Sequence, residues 1–181
     1  MIPDKIYLCG FMGAGKSSIG RALAKRIRHR FVDLDQVIVK RVGKSVQDIF
    51  DQEGKEAFRT FERKALSDVM RRRGAIVVAL GGGSLQNQRI VKRVKKAGTL
   101  VFVDLPATEL AERLGRSRTK RPLLYNSKGE KLRGDDLLRK IEWLLRRRQH
   151  LYEQAHVRLK PGVSPDASAE LLEKSLASLA L

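Results

Sequence analysis

The stretch Gly10-Phe11-Met12-Gly13-Ala14-Gly15-Lys16-Ser17 fits the pattern G-x-x-x-x-G-K-[ST]. An apolar run that predicts a strand, Lys5–Cys9, comes directly before it, and helical periodicity over residues 17–28 follows it. In this context the glycines let backbone N–H groups surround phosphate oxygens, and the following helix directs its positive N-terminal end toward them. The stretch therefore predicts a phosphate-binding loop. A glycine turn that carries Lys-Ser by chance is the alternative.

Within this loop, Lys16 is expected to reach the β and γ phosphates of a nucleotide, and Ser17 to ligate Mg²⁺. Such a loop leaves the class of protein open, because motors, GTPases and small-molecule kinases all carry one. The chain has no N-K-x-D-like guanine reader and is short for a motor, so a metabolite kinase is favoured. The predicted phosphate contacts are Gly13, Ala14, Gly15, Lys16, Ser17 and Ser18.

Strand-like runs alternate with helical stretches along the rest of the chain. Strands are predicted at residues 5–9, 30–34, 75–80, 99–105 and 156–159, and helices at 17–28, 45–73, 86–97, 107–114, 135–152 and at the end. Five strands interleaved with helices predict an α/β fold, with a parallel sheet that helices cover on both faces. The polar stretch 115–134 is long for a connection inside a compact domain, which predicts a functional lid or a disordered segment.

Length and composition indicate one globular domain over residues 1–181, with 42% hydrophobic and 32% charged residues. The apolar runs are too short to span a bilayer, and the first residues show no signal-peptide pattern. A cytoplasmic monomer without membrane contact is therefore expected. The single cysteine, Cys9, ends an apolar run and is predicted to be a small buried hydrophobe.

The charge is strongly unbalanced, with 38 Lys+Arg against 20 Asp+Glu and a formal net charge of +18. Such an excess attracts anions in general and does not choose between small substrates, acidic surfaces and nucleic acid. Most basic clusters fall in segments of helical periodicity without interleaved aromatic residues, which favours solvated helix faces and no specific nucleic-acid partner. A P-loop protein that binds nucleic acid is the alternative from a different class.

Two aspartates follow the second predicted strand, in Val32-Asp33-Leu34-Asp35. Alternation directs both side chains the same way from the carboxyl end of the strand, where ligands bind in open parallel sheets. Beside a phosphate loop, two carboxylates suit two tasks, and we assign Asp33 to Mg²⁺ and Asp35 to the attacking hydroxyl. The alternative is a strand end followed by an aspartate, Asp35, that caps the next helix.

Two arginines are candidates for binding a substrate carboxylate. Arg148 falls in the middle of the apolar face of the helix predicted over residues 135–152, where a bare charge would be costly and an anion is needed. Arg59 lies on the flank of the buried side of the preceding helical region. Two guanidinium groups from different elements could hold one carboxylate. Pairing with protein acids such as Glu62 or Asp35 is the alternative.

Together these motifs resemble the shikimate kinase family over residues 5–155. The resemblance is carried, in the family's order and spacing, by the phosphate loop, Val32-Asp33-Leu34-Asp35, Gly43-Lys44-Ser45-Val46-Gln47-Asp48-Ile49-Phe50, Ala57-Phe58-Arg59, Gly81-Gly82-Gly83 and Arg121-Pro122-Leu123-Leu124. It implies a P-loop, nucleoside-monophosphate-kinase-like fold, with a shikimate-binding region at about residues 35–63 and a mobile lid at about residues 113–126. It also implies Mg²⁺-dependent phosphoryl transfer from ATP to the 3-hydroxyl of shikimate, in the pathway of aromatic amino-acid biosynthesis.

The resemblance further implies roles for single residues. Arg59 and Arg148 match the family's carboxylate-binding arginines, and Gly82 and Gly83 are expected to contact the substrate's hydroxyl and carboxylate. Arg121 matches the arginine of the lid motif and is expected to neutralise charge on the transferred phosphoryl group. Asp35, Lys16 and Arg121 are then the catalytic set.

Two adenine contacts are predicted with less support from the sequence. Arg113 is placed to stack on adenine, although its spacing from Arg121 varies within the family. Pro165 is a second candidate, but Ser164-Pro165-Asp166 fits equally well as a helix N-cap with proline at the first helical position. A small P-loop kinase for gluconate or a nucleotide is the nearest enzymatic alternative.

Overall fold

A five-stranded, all-parallel sheet lies at the centre of the computed structural model, which describes residues 2–179. The strands are β1 (Lys5–Cys9), β2 (Arg30–Asp33), β3 (Ile76–Ala79), β4 (Thr99–Val103) and β5 (Val157–Leu159). Their order across the sheet is β2-β3-β1-β4-β5, which places the strand before the phosphate loop in the middle. The predicted parallel sheet is confirmed.

Helices lie between the strands and cover the sheet. They are α1 (Lys16–Arg26), α2 (Leu34–Val42), α3 (Val46–Arg71), α4 (Gln88–Ala97), α5 (Ala107–Arg116), α6 (Gly134–Arg146), α7 (Gln149–Tyr152) and α8 (Pro165–Ser178). Residues Pro122–Leu124, inside the predicted lid, form one 3₁₀ turn. Most boundaries fall within two residues of the predicted ones, as expected for helix ends that fray.

Side chains of β1 alternate between two separate cores, one on each face of the sheet. Ile6 and Leu8 belong to the core that α1, α5, α6 and α8 cover. Tyr7 and Cys9 belong to the core under α2, α3 and α4. The prediction of helices on both faces is therefore confirmed. Cys9 is 1% exposed, and its burial raises the pKa of the thiol to about 12, which keeps it protonated and inert.

The long helix α3 bends at Gly54, where the backbone has φ 81° and ψ 174°. Glycine tolerates this conformation because it has no Cβ. The helix begins at a capping box in which Ser45 and Asp48 bond each other's backbone N–H groups. The bend separates this first part from the second, which carries Phe58 and Arg59 into the molecule.

The prediction of one continuous helix over residues 135–152 is wrong. It is divided into α6 and α7, and Arg148 lies between them, with its N–H donating to Leu145 O at 2.8 Å. The break accompanies two tertiary hydrogen bonds from Arg148 and Tyr152 to the carbonyl of Gly82, 66 and 70 residues away. The periodicity of apolar residues indicates which residues of one segment are buried. It does not indicate contacts between residues that are 66 or 70 positions apart in the sequence.

The surface agrees with the interpretation of the basic clusters as solvated helix faces. In α4, Lys92, Arg93 and Lys96 are exposed, whereas Val91 and Val94 are buried on the opposite side. Over residues 2–179, no helix has the length and apolar character needed to cross a membrane.

Candidate active site

The carboxyl ends of β1, β2 and β3 bring three sequence motifs together at one edge of the sheet. The phosphate loop follows β1, Asp33 ends β2, and Gly81-Gly82-Gly83 comes shortly after β3. This is the edge at which open parallel sheets bind ligands. Two adjoining cavities open there, of about 310 and about 280 Å³.

We call the first the phosphate cavity and the second the acceptor cavity. The phosphate cavity is lined by Met12, Gly13, Gly15, Lys16, Ser17, Ser18, Asp33, Asp35, Leu80, Gly81, Gly82 and Arg121. The acceptor cavity is lined by Met12, Asp35, Val46, Phe50, Phe58, Arg59, Glu62, Gly81, Gly82, Gly83, Thr119, Lys120, Arg121, Pro122, Leu123 and Arg148. Asp35 and Arg121 line both, so they lie where the two cavities meet.

The side chain of Lys16 folds back onto the backbone of the phosphate loop. Lys16 is 8% exposed, and its Nζ donates to Gly10 O at 2.9 Å and to Phe11 O at 2.7 Å. Burial lowers the pKa of Lys16 to about 8, while the carboxylate of Asp35 opposes this shift. An ammonium held by neutral carbonyls in a buried position gains from an added anion, which suits it to bind phosphate.

Ser17 and Asp33 bring two oxygen donors together at the phosphate loop. Ser17 Oγ donates to Asp33 Oδ2 at 2.6 Å. The second oxygen, Asp33 Oδ1, accepts from the N–H of Asp35 at 3.1 Å and of Gln36 at 3.4 Å, so Asp33 caps α2. The expectation that Asp33 and Asp35 alternate along a strand is therefore wrong, because β2 ends at Asp33 and Asp35 lies in the first turn of α2. The alternative, in which Asp35 caps the helix, is wrong as well, because the cap is Asp33.

A hydroxyl and one carboxylate suit Mg²⁺, a hard cation that keeps several water ligands and takes few protein groups beside phosphate oxygens. Across residues 2–179 there is no cluster of three or more His, Cys, Asp or Glu side chains that could hold a metal. A cation at Ser17 and Asp33 would thus depend on a bound phosphate for further oxygen ligands.

Asp35 has an unusual environment at the junction of the cavities. Its Oδ1 is buried and has no hydrogen-bond partner within residues 2–179. Burial raises the pKa of this carboxyl to about 6, assisted by the charges of Glu62 and Asp33 and opposed by those of Lys16 and Arg59. A buried carboxylate with a free oxygen and a pKa near neutrality can accept a proton from a hydroxyl.

Arg59 is buried and forms an ion pair with Glu62, which is 1% exposed. Ser84 Oγ donates to the other oxygen of Glu62 at 2.6 Å. The sequence predicts Arg59 on the flank of the buried side of this helix, and the structure buries it and pairs it with Glu62, an acid that the alternative named. Its contact with a substrate carboxylate stays a prediction. Ser84 is not among the predicted site residues, although its position directly after Gly83 is a signal for it.

Arg148 and Tyr152 hold the backbone at Gly82. Arg148 Nη1 donates to Gly82 O at 3.0 Å, and Tyr152 Oη donates to the same oxygen at 2.6 Å. Arg148 is half-buried whereas its two preceding arginines are exposed, which confirms that it alone of the three points inward. The sequence pattern places Tyr152 on an apolar face and does not predict this polar contact.

The acceptor cavity combines an apolar wall with charged groups. The rings of Phe50 and Phe58 pack with their centroids 4.7 Å apart, and the segment from Thr119 to Leu123 also lines the cavity. The guanidinium carbon of Arg59 would lie 2.8 Å from a Cβ at Gly83, so the backbone approaches this arginine more closely than any side chain allows. Such a cavity suits a small ring that bears polar and anionic groups.

The remaining predicted residues differ in their distance from the cavities. Burial lowers the pKa of Arg121, and its Nε has no hydrogen-bond partner in the described chain. Arg113 approaches the phosphate loop, since its Nη1 would lie 3.9 Å from a Cβ at Gly15. Pro165 opens α8 behind the cap of Ser164, whose Oγ accepts from Ala167 N at 3.1 Å, so the alternative of an N-cap with proline after it is confirmed. Within the described part of the chain, Pro165 lines neither the phosphate cavity nor the acceptor cavity.

A phosphate loop that faces a second cavity across a shared carboxylate and arginine defines a small-molecule P-loop kinase. The family model described as "Shikimate kinase" matches residues 12–179, and the chain belongs to the shikimate kinase family. Membership makes it an ATP- and Mg²⁺-dependent kinase that phosphorylates shikimate, a reaction of aromatic amino-acid biosynthesis. The alternative class, a P-loop protein devoted to nucleic acid, is therefore not the one to which this chain belongs.

Relatives support this assignment over nearly the full length. A shikimate kinase of Chlorobium chlorochromatii (strain CaD3) is 40% identical over 184 residues, which cover 99% of this chain and 96% of the relative. The structure of the Acinetobacter baumannii shikimate kinase in complex with shikimate has a TM-score of 0.84 and 31% identity, covering 99% of this chain and 94% of that one.

A gluconokinase from Sinorhizobium meliloti 1021 is a more distant structural neighbour. Its TM-score is 0.59 at 19% identity, with coverage of 97% of this chain and 93% of the gluconokinase. At this identity the likeness shows a shared fold alone.

Proposed function

We propose that the phosphates of ATP lie in the phosphate cavity, that shikimate lies in the acceptor cavity, and that transfer to the 3-hydroxyl takes place at their junction. One observation carries this proposal: Asp35 and Arg121 line both cavities. Phosphoryl transfer between two substrates needs a base near the acceptor hydroxyl and a positive charge near the transferred group. Asp35 supplies the base and Arg121 the charge.

On the donor side, the N–H groups of residues 13–18 surround the phosphates, and Lys16 exchanges its two loop carbonyls for phosphate oxygens. Ser17 and Asp33 hold Mg²⁺, which neutralises phosphate charge when bound. The existing contact between Ser17 Oγ and Asp33 Oδ2 keeps both oxygens at the position where the cation is needed.

On the acceptor side, Arg59 and Arg148 bind the carboxylate of shikimate, and the backbone of Gly82 and Gly83 contacts the substrate beside them. Glu62 fixes the guanidinium of Arg59, so little side-chain entropy is lost when substrate binds. Asp35 accepts the proton of the 3-hydroxyl with its free Oδ1 and thereby orients the attacking oxygen.

The segment of about residues 113–126 acts as a mobile lid over a substrate-binding region of about residues 35–63. Its Arg121 stabilises charge on the transferred group after closure, because closure excludes water and strengthens that interaction. Arg113 stacks on adenine from its position near Gly15. Pro165, at the start of α8, is the second proposed contact with the base. We further propose that the chain works as a monomer in the cytoplasm, where ATP is available.

A substrate panel tests the proposed acceptor. Release of ADP should be fast with shikimate and near background with gluconate or a nucleoside monophosphate. Turnover with either of the other acceptors, and none with shikimate, would refute the assignment.

Substitution of Arg148 tests the proposed binding mode. Arg148→Gln should raise KM for shikimate roughly 30- to 150-fold, since a charge-assisted hydrogen bond contributes about 2–3 kcal/mol. KM for ATP should change little, because Arg148 does not line the phosphate cavity. Arg146→Gln is the matched control, since Arg146 is exposed two residues away. Equal effects of the two substitutions would contradict the role of Arg148.

A further inference from the structure

A third cavity adjoins the acceptor cavity and shares Arg59, Gly83, Leu123 and Arg148 with it. Its volume is about 520 Å³. The part that lies away from the acceptor cavity is formed by Lys55 and Glu56 of α3 and by α6 with the residue after it. We call this part the outer groove and define it by Lys55, Glu56, Lys140, Trp143 and Arg147.

The outer groove carries an excess of positive charge that the protein does not neutralise. Lys55, Lys140 and Arg147 face one acid, Glu56. No ion pair forms at any of these three cations within residues 2–179, whereas Arg139, on the same helix, pairs with Asp136 at 2.8 Å. Like charges that line one concave surface add their potentials and raise the local concentration of anions.

Trp143 organises two of these cations. The indole is 44% exposed, and it lies 4.6 Å from the guanidinium carbon of Arg147 and 4.9 Å from Nζ of Lys140. Cation–π contacts restrain the side chains but use none of their N–H donors. Both cations are thus held at the groove with donors available for a carboxylate.

We propose that Lys140, Trp143 and Arg147 form an outer anion site that receives the carboxylate of the acceptor substrate before it reaches Arg59 and Arg148. This inference rests on the proposed binding of shikimate in the acceptor cavity. The cavity that contains the outer groove is also lined by Arg59 and Arg148, so a carboxylate that leaves one pair of cations meets the next within the same cavity. In the described chain, Glu56 is the one acid of that lining. The outer site increases capture of substrate and takes no part in the transfer step.

The test compares Lys140→Gln/Arg147→Gln with wild type in steady-state kinetics at low and at high salt. At low ionic strength, kcat/KM for shikimate should fall about fourfold. Each unit charge removed accounts for about twofold, for a separation of about 10 Å in water between the cation and the substrate carboxylate. At about 0.5 M salt the two proteins should converge, because the Debye length shrinks below that distance. The value of kcat and KM for ATP should stay unchanged.

Lys92→Gln/Lys96→Gln is the charge-matched control, since both lysines are exposed on α4 and line none of the three cavities in the described chain. The control should match wild type in kcat/KM and in its dependence on salt. Lys140→Gln alone should lower kcat/KM about twofold, which keeps the test valid if the double variant is poorly folded.

Binding can be observed directly because Trp143 is the only tryptophan of the chain. Addition of shikimate without ATP should change its fluorescence saturably, and the change should weaken with salt. If Lys140→Gln/Arg147→Gln and Lys92→Gln/Lys96→Gln have equal kcat/KM and equal salt dependence, the outer site is refuted while the proposed function stands. A loss of kcat in the Lys140 variants would also overturn it. Absence of shikimate turnover in wild type would refute the proposed function itself.

Discussion

Replacement of Asp35 by asparagine should make the fold more stable at pH 8 while it abolishes phosphoryl transfer. Burial, together with Glu62 and Asp33, raises the pKa of Asp35 from 3.8 to about 6. Ionisation of this carboxyl is therefore more costly in the folded protein than in the unfolded chain. Asparagine has nearly the same shape and carries no charge, so the substitution removes that cost.

The magnitude follows from the size of the shift. Because the folded pKa lies above the unfolded value, the folded protein binds more protons between pH 3.8 and about 6, and stability falls as the pH rises through this window. A difference of about two pH units corresponds to about 3 kcal/mol, fully present above pH 6. For a chain of this size that is roughly 6–12 °C in the midpoint of thermal unfolding.

Thermal and urea unfolding of wild type and Asp35→Asn should be measured from pH 8 down to pH 4.5. The gain in stability should be nearly constant from pH 8 to about pH 6 and shrink below that pH, as the folded carboxyl becomes protonated. Asp51→Asn, at an exposed position of α3, is the control and should leave stability nearly unchanged. A variant no more stable than wild type at pH 8, or a gain independent of pH, would refute the reasoning about Asp35.

Activity of the same variant should be measured as ADP release with shikimate. Asparagine cannot accept the proton of the hydroxyl, so transfer should fall to background while ATP binding, measured by calorimetry, stays close to that of wild type. Retained turnover would show that Asp35 does not act as the base.

Three further predictions concern the same site. In wild type, kcat/KM for shikimate should fall below about pH 6, because protonated Asp35 cannot accept the substrate proton. Glu62→Gln should destabilise the fold by about 3 kcal/mol in urea unfolding, since it leaves the buried charge of Arg59 without its partner. Gly83→Ala should raise KM for shikimate about tenfold with little change in kcat, because its Cβ would displace the guanidinium of Arg59.

Each of these has a control within the chain. The exposed pair of Arg139 and Asp136 has the same i,i+3 spacing as the buried one, so Asp136→Asn should cost less than about 1 kcal/mol. Gly115→Ala should leave KM unchanged, since its Cβ would meet only a side-chain carbon of Leu137 at 3.8 Å. If any turnover remains in Asp35→Asn, its kcat/KM should no longer fall below about pH 6. The same fall in the variant would show that another group titrates there.

The phosphate loop illustrates what could be predicted from local sequence. Its function depends on neighbouring residues, namely glycines that free the backbone and a lysine and serine at the start of α1. Such relations are contained in a short window and in the strand and helix on either side. The strands were also predictable, because period-two and apolar patterns reflect burial within a few residues.

The interior polar contacts were not predictable in the same way. Glu62 and Ser84 meet although 22 residues separate them, and Arg148 and Tyr152 bond a carbonyl beyond a helix break. The charge of Arg148 on an apolar face predicted an anionic partner, whereas the partner within the described chain is a neutral carbonyl. The folded chain supplies the carbonyl of Gly82.

The sequence by itself determined the parallel sheet and the phosphate loop, placed two aspartates at the ligand edge of the sheet, and showed that Arg148 points inward. It could do so because these features depend on short-range patterns and on the rule that parallel strands end at one edge. Only the tertiary structure decided which aspartate caps a helix and which has a free oxygen between two cavities, and that Arg59 is held by Glu62. Those outcomes depend on burial and on partners from distant segments, which set the pKa of Asp35 and the position of each charge.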